Sequence, residues 1–499
     1  MVAVVALSLL SVGVIGVLAD EDKPSVTPYR WMDALQTREA LRSGRCATRD
    51  IIQQSEALIG SEDRGPNGFR AVIRLTNHGR SASHPSLTSP LAGLPIIVKD
   101  NIAIRGEPTT AGSLALAKNV ALTDADVVAQ IRAAGGVIFA RANLSEWANF
   151  RDSRSTSGWS SVGGQTNHAY NPTRNPCGSS AGSAVAVARG YAPLAVGTET
   201  CGSIICPAAT NGVVGIKPSR GLVSGAGIVP ISKTFDVAGP IARRVADAAL
   251  LLSVMVKPEY DTLALKIRKA GMRPRALSGL RLGVVTNLGL GHVGTTRAFE
   301  QFQASLRRRG VVLVDVVLPH MDAISVLFGV IVLHEFKRDL NQYLGTRTVP
   351  GQVRDLADLI AYNAHHADSV MPHFGQDRLV LAQRREAMPS EQYHRDLARL
   401  LDLAGSAGID HIITKYRLDG LIAPSNRPAW LSDYRTGDAM PVSSALPAAV
   451  AGYPAVTVPM AKRDGLPVGV TVWGRAKQDA QIIAIAAAIE RMTGGFKRP

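Results

Sequence analysis

Short apolar runs alternate along this chain with longer stretches in which apolar residues recur at helical spacing. Residues 31–60 mix apolar and charged positions at that spacing and predict one or two amphipathic helices. Positions 94–98 form an uninterrupted apolar run, the pattern of a buried strand, which delivers Lys99 at its end. A helix is expected over 126–134 and a strand over 137–140. The small apolar residues of 183–189 suit a helix opened by the turn at 179–182, and 192–197 then returns as a strand. Farther on, 280–286, 295–308 and 311–317 read as strand, helix, strand. Residues 320–415 look mostly helical, and 421–424 and 455–459 are further strands. This alternation predicts an α/β protein with a parallel or mixed sheet covered by helices. The polar segment 76–90 reads as a loop by composition. There is no internal repeat and no long low-complexity linker.

Composition narrows the class. With 46% apolar and 19% charged residues, the 499-residue chain has the make-up of an ordinary folded enzyme. Its net charge of +15 raises the question of nucleic acid. The basic residues are scattered, with only short clusters such as Arg307-Arg308-Arg309, so a solvated basic surface is the better account. Residues 2–19 are apolar and uncharged and stop at Asp20-Glu21-Asp22. That pattern predicts a cleaved signal peptide over 1–19, a catalytic domain over 20–499, and an exported protein, periplasmic or secreted. A membrane anchor formed by 2–19 is the alternative; without it, no stable membrane contact is expected. Cys177, Cys201 and Cys206 cluster within 30 residues of one another. Reduced thiols are the favoured state, with a disulfide among them open for an exported chain. Ligand spacing for zinc is missing, so no metal is expected.

The candidate chemistry lies in two glycine-rich turns and one lysine. Cys177-Gly178-Ser179-Ser180-Ala181-Gly182-Ser183 is followed, 24 positions after Ser179, by Ser203 in Glu199-Thr200-Cys201-Gly202-Ser203-Ile204. Serine hydroxyls beside a desolvated, neutral lysine form a nucleophile-and-base system that needs no histidine. Burial lowers a lysine pKa, which suits Lys99 to the part of base. Lys99 at a strand end pointing to solvent, and Ser203 as a helix cap, are the bland alternatives. Backbone N–H groups of Thr200, Cys201, Gly202 and Ser203 are candidates for an oxyanion hole. The helix and return strand between the turns explain how both serines can converge.

These blocks resemble the amidase signature family of Ser-Ser-Lys hydrolases. The similarity continues through Asn143-Leu144-Ser145-Glu146-Trp147, Gly163-Gly164-Gln165-Thr166, Gly212-Val213-Val214-Gly215-Ile216-Lys217-Pro218, Asp236-Val237-Ala238-Gly239-Pro240 and 451–459, and is thin between 255 and 415. Ser157-Gly158-Trp159-Ser160 and Glu199 after Thr198 look most like the peptide amidase branch. The resemblance implies one large domain with a mixed sheet covered on both faces, and no cofactor. Ser203 would be the nucleophile, Ser179 a bridging serine on a cis peptide, and Lys99 the base. Ser180 and Ser183 would support the first turn. Ser157 is a candidate substrate contact, as is Trp430, with core packing the alternative for the indole. Asp236 and Arg243 look like a structural salt bridge. Cys201 departs from the glycine or aspartate of relatives, but an oxyanion hole needs only its N–H. Ile205 replaces an arginine common elsewhere in the family. The histidines at 334, 365, 366 and 373 are expected to be surface or core residues. The implied substrate is a peptide or small-molecule carboxamide, cleaved by a monomer or homodimer. The rivals are the glutamine-hydrolysing component of a tRNA-dependent amidotransferase and a catalytically silent binding protein on the same scaffold.

Overall fold

The computed structural model describes residues 28–77, 86–288, 291–346, 353–438 and 444–499. The expected signal peptide and the middle of the 76–90 loop lie outside the described residues. The main sheet has eleven strands and is mixed. In chain order the strands are β1 (Val72–Leu75), β2 (Pro95–Lys99), β3 (Val137–Ala142), β4 (Trp159–Ser160), β5 (Gly164–Gln165), β6 (Leu194–Glu199), β7 (Val214–Lys217), β8 (Val237–Ala242), β9 (Arg281–Val285), β10 (Val312–Val316), β11 (Gly420–Pro424), β12 (Ala455–Arg463) and β13 (Leu466–Trp473). β4 and β5 form a separate two-stranded ribbon, and the rest run in the order β1-β3-β2-β6-β8-β7-β12-β13-β11-β9-β10. β3, β2 and β6 are mutually parallel, as are β11, β9 and β10, and antiparallel pairs join these two wings.

β2 shows why its residues must form a buried strand. Every position from Pro95 to Lys99 is buried, and alternate side chains leave opposite faces of the sheet. Ile96 and Val98 join a core that includes Val245–Met255 and Asp479–Thr493, whereas Ile97 joins a core with Ala181–Ala188. Both faces are therefore covered. The helix Ala181–Ala188 consists of small residues that are all buried. A third core gathers the helices of the 320–415 region, among them Met321–Gly345 and Ser390–Ala404, against β9 and β11.

The chain bonds Cys177 to Cys206, with Cα atoms 6.0 Å apart, while Cys46 and Cys201 are free. This corrects the expectation of reduced motif cysteines. The physical cause is convergence: Cys177 precedes the first glycine turn and Cys206 follows the second, so bringing the turns together brings the sulfurs together. The bridge spans 29 positions, and a closed loop of that length is worth about 3–4 kcal/mol in the chain-entropy account. The Cys177→Ser/Cys206→Ser variant is accordingly expected to lose about that much stability, measured by denaturant unfolding. An unchanged midpoint would show that the bridge contributes nothing.

Candidate active site

Lys99 ends β2, Glu199 ends its parallel neighbour β6, and Ser179 lies just before Ala181–Ala188. The site thus forms beyond the carboxyl ends of parallel strands, where open α/β sheets bind ligands. Lys99 is fully buried. Its Nζ reaches Ser179 Oγ at 2.8 Å, Ser180 Oγ at 3.1 Å, Thr198 Oγ1 at 2.8 Å and the Thr198 carbonyl at 3.2 Å. Burial lowers its pKa to about 7, against the opposing charges of Asp236 and Glu199. The Gly178–Ser179 peptide is cis. A β-carbon at Gly178 would meet Ser145 Oγ, which accepts the Gly158 N–H at 2.8 Å, so a larger residue here would have to displace that hydroxyl. Ser180 Oγ also bonds the Thr198 carbonyl, and Ser183 Oγ bonds the Val196 carbonyl at 3.1 Å. Both serines tie the first turn to β6, as expected.

The second turn faces the first. The Ser180 N–H donates to the Ser203 carbonyl at 3.1 Å, which locks the two turns in register. Ser203 keeps 8% of its surface exposed and lines a cavity of about 960 Å³ with Thr200, Cys201, Gly202, Gly178 and Ser157. Gly202 has a φ of 83°, in the left-handed region that glycine enters freely. Among the described residues, the N–H groups of Cys201, Gly202 and Ser203 donate to no protein acceptor. Burial pushes the Cys201 thiol up to about 12, so it is a poor nucleophile at neutral pH.

The remaining sequence candidates separate. Ser157 lines the cavity, and its N–H donates to Asp438 Oδ2 at 3.0 Å. Trp430 is not among the residues lining that cavity; its indole N–H donates to Asp438 Oδ1 at 3.3 Å. It is linked to Ser157 through that carboxylate and through Asn175, whose N–H donates to the Trp430 carbonyl and whose Nδ2 donates to the Ser157 carbonyl. The expected Asp236–Arg243 ion pair is not formed. Asp236 accepts from Thr200 Oγ1 at 2.5 Å and from the Ile231 and Ser232 N–H groups at 2.8 and 3.0 Å. Arg243 NH1 instead donates to the Val187 and Ala192 carbonyls. The two residues flank β8 at opposite ends, roughly 20 Å apart at strand rise. Burial raises Asp236 to about 7. His365 ends the helix Leu356–His365, and His366 is its C-cap.

Several partners escaped sequence reasoning. Thr198 accepts from Lys99 and from Asn101 Nδ2, the latter at 3.0 Å. Asp438 holds Ser157, and the buried Arg151 fastens one cavity wall. Arg151 donates to the carbonyls of Val370 at 2.6 Å and Phe374 at 3.0 Å and pairs with Glu146 at 3.2 Å. Thr198 and Asn101 sit inside the blocks around Ser203 and Lys99, which is the signal that could have found them.

A buried lysine among serine hydroxyls, beside unengaged N–H groups on a cavity floor, defines a candidate hydrolase site. Residues 73–483 match the Amidase family, and the chain belongs to it. The native peptide amidase of Stenotrophomonas maltophilia superposes with a TM-score of 0.86 at 39% identity, covering 95% of this chain and 99% of that one. A protein of Arabidopsis thaliana described as "Probable amidase" is 36% identical over 425 residues, 81% of this chain and 77% of its own. A glutamyl-tRNA(Gln) amidotransferase component from Symbiobacterium thermophilum is 35% identical over 423 residues, 81% of this chain and 83% of its own. The protein is an amide-hydrolysing enzyme.

Proposed function

We propose that the enzyme cleaves a peptide amide or similar carboxamide, R–CO–NH2, to carboxylate and ammonia through an acyl-enzyme on Ser203. The observation that carries this is Lys99, fully buried and within 2.8 Å of Ser179 Oγ. With its pKa lowered to about 7, it holds a neutral amine above neutrality. Ser203 Oγ bonds to the amide carbon as its proton passes through Ser179 to Lys99. The carbonyl oxygen becomes an anion facing the N–H groups of the 200–203 turn. The proton returns by the same route to the departing nitrogen, the C–N bond breaks and ammonia leaves. Water then attacks the ester, giving its proton to Lys99, and Ser203 is released with the carboxylate. No Ser179–Ser203 side-chain hydrogen bond is formed among the described residues; such contacts often tighten only with substrate bound.

The cavity wall supports an apolar acyl group. Phe328, Val332 and Leu333 on Met321–Gly345 face Val380 and Leu381 on Asp377–Arg384. A bulky apolar side chain beside the scissile amide would cover this surface. Replacing Leu381 with Asp is expected to raise KM for a phenylalaninamide peptide about tenfold, the equivalent of 1.4 kcal/mol. Equal KM values for the two enzymes would remove Leu381 from the subsite.

The test of function is ammonia release from a dipeptide amide and from free glutamine. Release from the peptide amide alone supports the proposal. Release from glutamine, with partner proteins co-purifying, supports the amidotransferase reading instead. The closer fold match favours the first: 0.86 for the peptide amidase, against 0.71 at 25% identity for the glutamyl-tRNA(Gln) amidotransferase component of Thermotoga maritima. An exported location is proposed on the same footing, since a disulfide beside the site suits an oxidising compartment. Its check is mass spectrometry of the mature N-terminus, with Asp20 the expected first residue.

A further inference from the structure

Glu199 is buried, with 1% of its surface exposed, and it stands between the end of β6 and the turn that bears Ser203. Its Oε2 accepts the N–H groups of Ile204 at 2.7 Å and Ile205 at 2.9 Å, the two residues that follow Ser203. Those bonds draw the chain after Ser203 inward. The three preceding N–H groups, of Cys201, Gly202 and Ser203, are left without a protein acceptor among the described residues. Oε1 has no hydrogen-bond partner among the described residues, although it is buried. A carboxylate so placed favours a positive charge nearby, and it acts on two buried lysines, on Lys217 and on the protonated form of Lys99. Burial lowers Lys99 to about 7 and Lys217 to about 8, and the charge of Glu199 opposes the drop in both. Asp236 also acts on Lys99, and Asp479, Arg220 and Cys201 act on Lys217.

We propose that Glu199 is a positioning residue for this reaction, acting through its hydrogen bonds on the turn that carries Ser203 and through its charge on Lys99. The carboxylate holds the turn so that the 201–203 N–H groups converge where the oxyanion develops. This role presupposes Ser203 as the nucleophile. It also separates two properties of one side chain, reach and charge, which two substitutions can divide.

Glu199→Asp keeps the charge but withdraws the carboxylate by one methylene, so the Ile204 and Ile205 N–H groups lose their acceptor. Its kcat on a dipeptide amide is expected to fall on the order of 10²-fold, the loss typical of one oxyanion donor, with KM little changed. Glu199→Gln keeps the reach and removes the charge. It is expected to hold kcat at its plateau within severalfold and to move the acid limb of kcat/KM to lower pH, because a charge that raises Lys99 is gone. A merely structural carboxylate would change the melting temperature of both variants and leave kcat per folded enzyme and the limb in place. Wild-type kcat in Glu199→Asp, or an unmoved limb in Glu199→Gln, overturns the proposal. Should Glu199→Asp fail to fold, the limb of Glu199→Gln decides. Ser203→Ala, assayed alongside, keeps the two levels apart: if it still turns over, the assignment of the nucleophile fails whatever the Glu199 variants do.

Discussion

Ser203→Ala is expected to lower kcat on a peptide amide by on the order of 10⁵-fold, leaving only what oriented binding supplies. The substitution removes one oxygen and nothing that holds the fold together. The Ser203 carbonyl still receives the Ser180 N–H, and Glu199 still engages the Ile204 and Ile205 N–H groups. Thermal unfolding should therefore be unchanged while turnover and covalent labelling by a fluorophosphonate both disappear. Retained labelling at another residue would reassign the nucleophile. Cys201, the adjacent thiol, is the residue to examine first, although its high pKa argues against it.

Lys99→Met is expected to be nearly as damaging, on the order of 10⁴-fold in kcat, the upper range for loss of a general base. Methionine preserves most of the buried aliphatic stem and removes the amine, so the effect reads chemistry more than a cavity. In the wild-type enzyme the same group is expected to set the pH profile. The folded pKa is lowered from the ordinary lysine value to about 7, so the amine is protonated, and unable to take a proton, below that pH. Activity should therefore rise about tenfold per pH unit up to about 7 and level off above it, as a single required deprotonation dictates. Retention of a tenth of wild-type activity in Lys99→Met, or an acid limb far from neutrality, would point to a different base.

Much of the fold was legible because its signals are local. The 94–98 run became β2, one residue later than read, and the 183–189 pattern became Ala181–Ala188. Gly239 and Pro240 argue against a central strand at Val237–Ala242. The sheet nonetheless aligns Gly239 with Gly197 and Pro240 with Val196, and close approach of the Ile216 carbonyl leaves no room for a β-carbon at Gly239. The cavity wall lay in 320–415, where helices could be read but not their mutual placement, so no substrate contact there was named.

By itself, the sequence determined the alternation of strands and helices, the two glycine turns and the residue types that could cleave an amide, because each is written in adjacent positions. Only the tertiary structure decided what depends on distance. It buried Lys99 among four oxygen atoms within 3.2 Å. It joined Cys177 to Cys206, gave Asp236 to Thr200 rather than Arg243, and set Glu199 behind the Ser203 turn. Hydrogen bonds, and the desolvation that shifts a pKa, act over a few ångströms in space, and chain spacing does not measure that distance until the sheet has closed.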